Sequence, residues 1–568
     1  MAKKVLEVTD LKDMLNKTRE LYGDKPGYKI KIGKGQYKTY THKEIRDMIN
    51  CLGTALISLG LKGKRIGVIG ENRYEWELAY LTVVCGVGIV VPMDKSLPAN
   101  ELEEVIERSE VEAIFYSKKY EETIKKIKYS EKNKLKHLIS MDADIHDEGI
   151  YSEKELIEKG KELLDSGNTE YINAKINPEE MRIMLFTSGT TSKSKVVALS
   201  HKNLISNIMD YASVVDVNSD DRILSFLPLH HVYECTVGML VSLYVGAERA
   251  FCDGIRHIVE NLNEYKITYA AFVPAIYELM YKNIWKMIEK KGKVEETKQV
   301  MQEYKDKSMQ EKKEVFKEIH DMYGGCIKLF ITGAAALDKE VIETFRNWGL
   351  NLCQAYGLTE TSPIIGIETN EYHRVGSIGK PIPHVQARID EADDDGVGEL
   401  VVKGPNVMLG YYNNKKATDS VMEDGWFHTG DLARIDEDGY IFICGRKKSV
   451  IVLKNGKNIY PEEMEGLVNK IEGVKESFIF GKQQTDDKDN IKIHVKIVFD
   501  KDIMKEAYKV ESEEEIYRVL TEKIKEVNSV MPKYKAIRGM IVSDKPLIKT
   551  TTGKIKRQAN LDEIEKEV

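Results

Sequence analysis

The feature that most constrains the fold is a short apolar run that recurs along the chain and alternates with helix-like segments. Residues 65–69 (RIGVI) form one such run, residues 76–85 have a helical pattern, and residues 88–93 (GIVVPM) form a second run. We interpret this order as strand, helix, strand, as in a parallel sheet with helical crossovers. Similar runs lie at residues 113–116, 182–186, 222–227, 269–273 and 328–332. The pattern therefore predicts an α/β fold.

Length, charge and cysteine usage narrow the class of protein. A chain of 568 residues exceeds what one hydrophobic core organises, so we expect at least two domains. The net charge of −7 gives no general attraction for nucleic acid, and we expect no nucleic-acid partner. No two of the seven cysteines have the spacing of a zinc-binding or redox motif. In the N-terminal segment MAKKVLEVTDLKD, charged residues interrupt the apolar ones, whereas a signal peptide has an uninterrupted apolar core. These features predict a cytoplasmic protein.

A hydroxyl-rich loop, TSGTTSKSK at residues 187–195, directly follows the predicted strand at 182–186. Its hydroxyl groups and backbone amides could donate hydrogen bonds to polyphosphate oxygens, although such a loop can also be an ordinary surface turn. A Walker A loop would need Gly at the position of Ser194 and Ser or Thr at the position of Val196, and the sequence has neither. The loop therefore predicts phosphate binding of another kind.

The same loop resembles the phosphate-binding loop of the acyl-adenylate-forming (AMP-binding) superfamily, which includes acyl-CoA synthetases, adenylation domains and luciferases. The family loop usually reads TSGTTGxPK, so Ser192 and Ser194 replace its second Gly and its Pro, which changes the allowed backbone conformations. The resemblance implies that Thr187 and Lys195 act in catalysis and that Thr187 also meets Mg²⁺. It further implies that the ATP phosphates contact Thr187, Ser188, Gly189, Thr190, Thr191 and Lys195.

Two further segments resemble the family's adenine-binding elements. QAYGLTET at residues 354–361 implies that Thr359 meets the α-phosphate and that Glu360 helps to hold Mg²⁺. ITGAAAL at residues 331–337 is the turn that lines the adenine pocket in the family. The adenine neighbours implied by the two segments are Gly333, Ala334, Ala335, Gln354, Ala355, Tyr356 and Gly357. For residues 354–361 the structural alternative is a buried tyrosine with a solvated glutamate. For residues 331–337 it is the start of a helix that packs on a sheet.

The resemblance continues into the last third of the chain. GWFHTGDLA at residues 425–433 implies that Asp431 binds the ribose hydroxyls, and Arg446 is implied to reach the same ribose. Lys448 takes the position of the hinge about which the family's small C-terminal domain turns. We therefore expect an N-terminal domain at residues 1–446 that binds ATP and the acid, and a mobile C-terminal domain at residues 447–568.

Lys554, in PLIKTTTGKIKRQ at residues 546–558, takes the position of the family's mobile catalytic lysine. Its ammonium group would screen the acid carboxylate from the α-phosphate while the two anions meet. The implied fold is α/β, with a large N-terminal domain of parallel and mixed sheets with helices and a small mobile α+β C-terminal domain. The implied reaction uses ATP and Mg²⁺ to make an acyl-adenylate, and then passes the acyl group to CoA.

The evidence for the acid is a pair of adjoining segments. LPLHHVYE at residues 227–234 resembles the segment of fatty acyl-CoA synthetases that places a histidine, here His231, beside the acyl carboxylate. FVPAIYELM at residues 272–280 resembles the adjoining pocket wall, with Val273 and Tyr277 as substrate contacts. The leading prediction is a medium- to long-chain fatty acyl-CoA synthetase. Alternatives left open are an acyl-AMP ligase that serves a carrier protein, a synthetase for an aryl or short-chain acid, and a non-catalytic nucleotide-binding protein.

A segment rich in Lys and Glu, residues 281–325, departs from the strand and helix rhythm. Its apolar residues follow helical spacing in two stretches, which predicts two exposed helices, with a partner-facing or membrane-facing role as the alternative. The longest apolar stretch of the chain, residues 81–93, is shorter than the roughly 20 residues that cross a bilayer. Weak peripheral membrane contact and homodimer formation are left open.

Overall fold

The structure is a computed structural model, and it describes residues 3–130, 132–144, 149–187, 194–454, 457–484, 487–549 and 554–567. The described chain forms two compact units. The first unit comprises the residues up to 187, residues 195–386 and residues 402–427. The second unit comprises residue 194, residues 387–401 and those from 428 onward. The expected domain boundary between residues 446 and 447 stays a prediction.

The helices follow one another along the chain as α1 (Leu11–Tyr22), α2 (His42–Ser58), α3 (Tyr74–Thr82), α4 (Ala99–Ser109), α5 (Glu121–Lys128), α6 (Glu153–Asp165), α7 (His201–Val214), α8 (Val241–Val245), α9 (Ile258–Glu264), α10 (Pro274–Lys290), α11 (Val294–Glu303), α12 (Met309–Val315), α13 (Lys317–Met322), α14 (Lys339–Asn347), α15 (Lys415–Asp419), α16 (Pro461–Val468), α17 (Lys501–Tyr508), α18 (Glu513–Ser529) and α19 (Arg557–Glu567). Two π-helical segments, Val83–Val87 and Glu234–Leu240, interrupt this series.

The strands are β1 (Pro26–Gly33), β2 (Gln36–Thr41), β3 (Arg65–Ile69), β4 (Ile89–Pro92), β5 (Ala113–Tyr116), β6 (His137–Ser140), β7 (Ile150–Ser152), β8 (Met181–Thr187), β9 (Lys195–Ser200), β10 (Arg222–Ser225), β11 (Glu248–Phe251), β12 (Tyr269–Phe272), β13 (Leu329–Thr332), β14 (Leu352–Gly357), β15 (Ile364–Ile367), β16 (Lys380–Pro381), β17 (Gln386–Asp390), β18 (Gly398–Lys403), β19 (Gly410–Tyr411), β20 (Met422–Glu423), β21 (Trp426–Ile435), β22 (Ile441–Arg446), β23 (Ile451–Val452), β24 (Asn458–Ile459), β25 (Val474–Gln484), β26 (Asp487–Phe499) and β27 (Gly539–Ser543).

The first unit contains two sheets built largely of parallel strands. Their strand orders are β16-β15-β14-β13-β12-β10-β11-β1-β2 and β19-β9-β8-β4-β3-β5-β6-β7. Strand β3 lies parallel to both β4 and β5, and its last four residues are buried, as expected of a strand covered by helices on both faces. The predicted α/β class and the predicted strands at residues 65–69, 88–93 and 113–116 are confirmed.

The segment at residues 281–325 differs from the prediction of two exposed helices. After the end of α10 it forms α11, α12 and α13, because the second predicted helix is interrupted at Phe316. Phe316 is 8% exposed and Ile319 is 4% exposed, and both belong to the hydrophobic core that α10 and α14 share with the sheet. The apolar stripes therefore pack on the first unit, while α11 has no buried residue and α12 has only Lys312 buried. The helices are largely exposed, as predicted, but there are three of them rather than two.

The second unit has an α+β arrangement at its centre. Strands β25 and β26 pair antiparallel, and β27 pairs parallel to β26. Helices α16 and α18 contribute Met464, Val468, Ile516 and Leu520 to a core with buried residues of β26. A smaller apolar cluster joins the other face of this sheet to Leu547 and to Ile564 of α19. The predicted combination of a large sheet-rich domain and a smaller α+β domain is confirmed.

Among the described residues, every helix is too short or too polar to cross a bilayer.

Candidate active site

Strands β8 and β9 carry the two ends of the predicted phosphate loop. They pair antiparallel with Thr187 opposite Lys195, and the Thr187 hydroxyl donates a hydrogen bond to the Lys195 carbonyl at 3.3 Å. The pairing therefore brings together the first and last residues of the loop. The remaining predicted contacts, which fall on Ser188, Gly189, Thr190 and Thr191, lie outside the described residues.

Tyr411 connects Lys195 to Glu360. The Lys195 ammonium nitrogen lies 4.4 Å from the centre of the Tyr411 ring, and the Tyr411 hydroxyl donates a hydrogen bond to Glu360 Oε1 at 2.8 Å. The backbone amide of Met408 donates to the Glu360 carbonyl at 2.8 Å. The structure thus brings the two predicted motifs together. Sequence reasoning missed Tyr411, because the run LGYYN gives no sign that distinguishes it from Tyr412.

The two segments predicted to bind adenine leave neighbouring parallel strands at the same edge of the sheet. Strand β13 ends at Thr332, which lies opposite Gln354 of β14. A Cβ atom on Gly333 would lie 3.2 Å from the Ala355 carbonyl oxygen, so the turn passes close to β14. Ala334 has φ of +70°, an uncommon conformation for a residue with a side chain. The carboxyl edge of parallel strands is where open α/β sheets bind ligands.

The side chain of Gln354 and the backbone of Gly357 have structural roles of their own. The Gln354 side-chain amide donates to the Ser377 carbonyl at 2.9 Å, and its backbone amide donates to Glu368 Oε2 at 2.9 Å. A Cβ atom on Gly357 would lie 1.9 Å from the Pro363 carbonyl oxygen, so only glycine fits there. Tyr356 is half-buried, and Thr359 begins a 3₁₀ turn that contains Glu360.

The histidine pair lies in the loop that follows β10. The rings of His230 and His231 have centroids 4.1 Å apart, and His230 Nε2 lies 3.5 Å from Asp94 Oδ1. Burial, together with the neighbouring His231, lowers the pKa of His230 to about 3, so His230 is neutral near pH 7. The His231 backbone amide donates to the Pro228 carbonyl at 3.0 Å, which closes a turn.

Val273 and Tyr277 lie at the start of α10. Val273 is half-buried at the N-cap of this helix. Tyr277 is fully buried, its hydroxyl donates to the Ile331 carbonyl at 2.9 Å, and its ring packs edge-on against Phe330 and Phe345. Tyr277 therefore braces β13, the strand that leads to Gly333. The predicted contact of Val273 and Tyr277 with the acid stays a prediction.

A buried ionic cluster joins α3, β11 and the π-helical segment after His231. Arg249 Nη2 donates to Glu77 Oε1 at 2.6 Å and to Glu234 Oε1 at 3.1 Å. Burial raises the pKa of Glu234 to about 7, against the opposing effect of the Arg249 guanidinium. The Ser225 hydroxyl donates to Glu234 at 2.8 Å and accepts from the Asn72 side-chain amide at 3.0 Å. Sequence reasoning missed this cluster, although each of its charges lies within an apolar run.

Asn72 links that cluster to the loop that carries the histidines. Its side-chain amide nitrogen also donates to the Leu227 carbonyl at 2.7 Å, and its carbonyl oxygen accepts from the Leu229 amide at 3.3 Å. One side chain therefore holds two backbone groups of the loop, four and two residues before His231.

In the second unit, the predicted ribose-binding residues are direct neighbours. Asp431 of β21 lies opposite Arg446 of β22, and Arg446 Nε lies 2.8 Å from Asp431 Oδ1. Asp431 is buried and Arg446 is exposed. Lys448 is exposed in a 3₁₀ turn, Lys447–Ser449, that directly follows β22. This position at a strand end suits the predicted hinge, whose motion stays a prediction.

The segment that carries Lys554 is anchored at its base by α19. Lys554 itself is exposed. The fully buried Asn560 side chain accepts from the Ile548 amide at 3.0 Å and donates to the Ile548 and Lys556 carbonyls at 2.9 Å each. Arg557 binds both oxygens of Glu465, at 2.9 and 2.7 Å. Sequence reasoning missed both anchors, which gave no signal beyond their nearness to the lysine motif.

At the candidate phosphate site, Glu360 is a carboxylate that the first unit can offer to Mg²⁺. Within the described chain no three His, Cys, Asp or Glu side chains converge as a metal-binding group. Mg²⁺ in nucleotide sites typically uses one or two carboxylates together with substrate phosphates. Glu360, a half-buried carboxylate held on one oxygen by Tyr411, fits that limited requirement.

Family models match almost the whole chain. The model described as an AMP-binding enzyme matches residues 17–412, and the model described as the AMP-binding enzyme C-terminal domain matches residues 448–568.

Similar proteins include two bacterial ligases. The chain is 28% identical over 463 residues to long-chain-fatty-acid–CoA ligase FadD15 of Mycobacterium bovis, covering 78% of this chain and 75% of that protein. It is 26% identical over 521 residues to the long-chain-fatty-acid–CoA ligase of Escherichia coli, covering 85% of each. The fold is similar to that of ATP-bound MatB from Rhodopseudomonas palustris, with a TM-score of 0.75 and 23% identity over 98% of this chain and 99% of the other.

Proposed function

Because this chain belongs to the AMP-binding enzyme family, the superfamily of adenylate-forming acid–CoA ligases, we propose that it activates a medium- to long-chain fatty acid as its acyl-adenylate and transfers the acyl group to CoA. The observation that carries the proposal is the contact of Tyr411 with both Lys195 and Glu360, which unites a phosphate-binding residue with an acidic residue suited to Mg²⁺. The substrate class is supported by relatives named for long-chain fatty acids and by the segment around His231.

In the first half-reaction, a carboxylate oxygen of the acid forms a bond to the α-phosphorus of ATP. The bond from that phosphorus to the bridging oxygen breaks, and pyrophosphate leaves with the electron pair. Thr187, Lys195 and Thr359 bind the phosphates, and the Lys554 ammonium screens the two reacting anions from each other. Mg²⁺, when bound, neutralises charge on the pyrophosphate, and Glu360 and Thr187 are the residues that would hold it.

The remaining site residues orient the nucleotide and the acid. The backbone of Gly333, Ala334 and Ala335 and the ring of Tyr356 enclose the adenine, together with Gln354, Ala355 and Gly357 of β14. Asp431 accepts hydrogen bonds from the ribose hydroxyls, and Arg446 holds that carboxylate. His231 lies beside the acid carboxylate.

In the second half-reaction, the CoA thiolate attacks the carbonyl carbon of the acyl-adenylate. A carbon–sulfur bond forms, the carbon–oxygen bond to AMP breaks, and AMP leaves with the electron pair. Rotation of residues 447–568 about Lys448 withdraws Lys554 and opens the site to CoA. The same domain thereby serves both half-reactions.

A screen of carboxylic acids tests the substrate class and the acceptor together. Pyrophosphate and acyl-CoA are measured with short-, medium-, long-chain and aryl acids, with and without CoA. The proposal expects the highest kcat/KM for medium- or long-chain acids and equal amounts of pyrophosphate and acyl-CoA. Faster turnover of aryl or short-chain acids would overturn the fatty acid assignment. Acyl-adenylate formation without any acyl-CoA product would indicate a carrier-protein acceptor.

The role of Lys554 is tested by measuring the half-reactions separately. Lys554→Ala is expected to lower fatty-acid-dependent ATP–pyrophosphate exchange by roughly 10²- to 10³-fold, as for loss of one charge-stabilising group. Thioester formation from supplied acyl-adenylate should be nearly unchanged. Lys549→Ala is the matched control, because Lys549 lies nearby but pairs with Glu476. Equal loss of both half-reactions in Lys554→Ala would contradict the assigned role.

A further inference from the structure

The structure contains a tyrosine that contacts both motifs of the candidate phosphate site and belongs to neither. We propose that Tyr411 is a positioning residue for adenylation: its hydroxyl orients the Glu360 carboxylate toward the metal-bound phosphates, and its ring holds the Lys195 ammonium beside them. The inference rests on the proposed function, because it assumes that Glu360 and Lys195 face Mg²⁺ and ATP.

The hydroxyl group of Tyr411 orients the Glu360 carboxylate through a hydrogen bond. A carboxylate accepts hydrogen bonds, so the phenol donates at the observed 2.8 Å and fixes one of the two oxygens. The residue is only 7% exposed, which limits competition from water for that hydrogen bond. A carboxylate held on one oxygen presents the other in a defined direction. That is useful for Mg²⁺, which demands near-ideal octahedral geometry.

The ring of Tyr411 positions the Lys195 ammonium group. An ammonium group 4.4 Å from a ring centre is within the range of a cation–π interaction. Lysine has a long side chain with many rotamers, so a ring that favours one of them prepares the charge for the phosphates. One side chain therefore orients two charges of opposite sign, each suited to a different partner in Mg²⁺–ATP.

The backbone around Tyr411 is fixed to both motifs, so the side chain starts from a defined position. In β19, Tyr411 lies opposite Val197 of β9, two residues after Lys195. On the other side, the Met408 amide donates to the Glu360 carbonyl at 2.8 Å. Gly410 has φ of +136°, and a Cβ atom on it would lie 2.9 Å from the Thr418 side chain. The Thr418 hydroxyl accepts a hydrogen bond from the Tyr411 amide at 2.9 Å.

The adjacent residue supplies a matched control. The Tyr412 hydroxyl accepts a hydrogen bond from Arg65 Nη2 at 2.6 Å, and its ring lies 4.9 Å from the Arg65 guanidinium. Tyr412 thus has the same pair of interactions, a hydroxyl contact and a cation–π contact, with a residue that has no role in the proposed chemistry. Tyr411→Phe and Tyr412→Phe remove equivalent atoms from neighbouring positions.

The experiment measures ATP binding by calorimetry with and without Mg²⁺, and pyrophosphate exchange as a function of Mg²⁺ concentration. For Tyr411→Phe we expect unchanged ATP affinity in the absence of Mg²⁺. The gain in ATP affinity that Mg²⁺ provides should fall about tenfold, as for loss of one hydrogen bond to a charged group. The Mg²⁺ concentration for half-maximal exchange should rise by a similar factor, with little change in kcat at saturating Mg²⁺. Tyr411→Leu should also weaken ATP binding in the absence of Mg²⁺, because Lys195 loses the ring.

Two results would overturn the proposal. One is an unchanged Mg²⁺-dependent gain in ATP affinity for Tyr411→Phe, and the other is an equal loss of that gain in Tyr412→Phe. Failure of the proposed function looks different, since the wild-type protein would then lack fatty-acid-dependent exchange while the calorimetric comparison of the variants still tests Tyr411.

Discussion

Each unit contains an arginine bound to two glutamates, and the two clusters differ in their access to water. In the first unit, Arg249 and Glu77 have fully buried side chains, and that of Glu234 is 2% exposed. In the second unit, Arg557 is 21% exposed and contacts Glu465 at 2.7 Å and Glu462 at 3.2 Å.

The difference in burial changes what each cluster contributes. A fully buried ion pair loses its hydration, and its attraction must offset that cost. The first cluster has two carboxylates for one guanidinium, and burial raises the pKa of both Glu77 and Glu234. In the second cluster burial also raises the pKa of Glu465, but Arg557 and Glu462 remain partly hydrated. This cluster ties the start of α19 to α16, directly beside the segment that carries Lys554. We therefore expect the first cluster to govern stability and the second to govern chemistry.

The largest change in the free energy of unfolding is expected for substitution of Arg249. Arg249→Met leaves two buried carboxylates without their cation and should destabilise the first unit by about 3–5 kcal/mol. All four tryptophans, Trp76, Trp285, Trp348 and Trp426, lie in this unit, so urea unfolding followed by tryptophan fluorescence reports on it.

The control for Arg249→Met removes all three charges together. In Arg249→Met/Glu77→Met/Glu234→Met no unpaired charge is left in the core, and much of the stability should return. If the triple variant were as unstable as the single one, packing rather than charge would account for the loss.

A change in pH is expected to have an intermediate effect on the free energy of unfolding. The folded-state pKa of Glu234 is about 7, above its ordinary value, so folding takes up a proton between about pH 4.5 and 7. The stabilising contribution is complete below this window and is lost as pH rises through it, with a slope of at most about 1.4 kcal/mol per pH unit. Urea unfolding across pH 4.5–8 measures the slope.

The matched variants for that measurement are Glu234→Gln and Glu289→Gln. Glu234→Gln cannot titrate and should flatten the pH dependence relative to the wild-type protein. Glu289 is an exposed residue of α10, and its substitution should leave the slope unchanged. Identical slopes in all three proteins would rule out Glu234 as the titrating group.

The smallest effect on stability is expected for Arg557. Arg557→Met should cost about 1–3 kcal/mol, less than Arg249→Met, because Glu462 keeps its contact with water and the buried Glu465 keeps its hydrogen bond from the Ile479 amide. Fatty-acid-dependent pyrophosphate exchange should nevertheless fall, while thioester formation from supplied acyl-adenylate is spared, because the Lys554 segment loses an anchor. Hydrogen exchange of α19 measures the local effect.

Arg518→Met is the control, since Arg518 is an exposed residue of α18. A stability loss in Arg557→Met as large as that of Arg249→Met would break the comparison between the two clusters. So would an unchanged rate of pyrophosphate exchange.

Local patterns predicted much of the fold. The run at residues 65–69 coincides with β3, and that at residues 113–116 coincides with β5, because short runs of β-branched and aromatic residues between turns depend on near neighbours. The pattern failed at residues 309–322, where Phe316 ends α12 and turns into the core. A helical stripe shows that a face is apolar, but it does not show where the chain breaks to bury that face.

In the candidate site, too, some contacts could be predicted from the sequence and others could not. The opposition of Thr187 and Lys195 could be expected, since one short loop joins two strand-like runs. The contact between Tyr411 and Glu360 could not, because it joins residues 51 positions apart through the pairing of β19 with β9. The anchors Asn560 and Arg557 were missed because their partners lie in other elements.

The amino-acid sequence by itself determined the α/β class, the positions of the main strands and the order of the family's motifs, since these depend on residues close together in the chain. Only the tertiary structure decided that Tyr411 lies between Lys195 and Glu360, that Arg249 loses contact with water and that Arg557 keeps it. The physical reason is that burial and long-range contacts arise when distant segments pack together, and the spacing of residues along one segment contains no record of that packing.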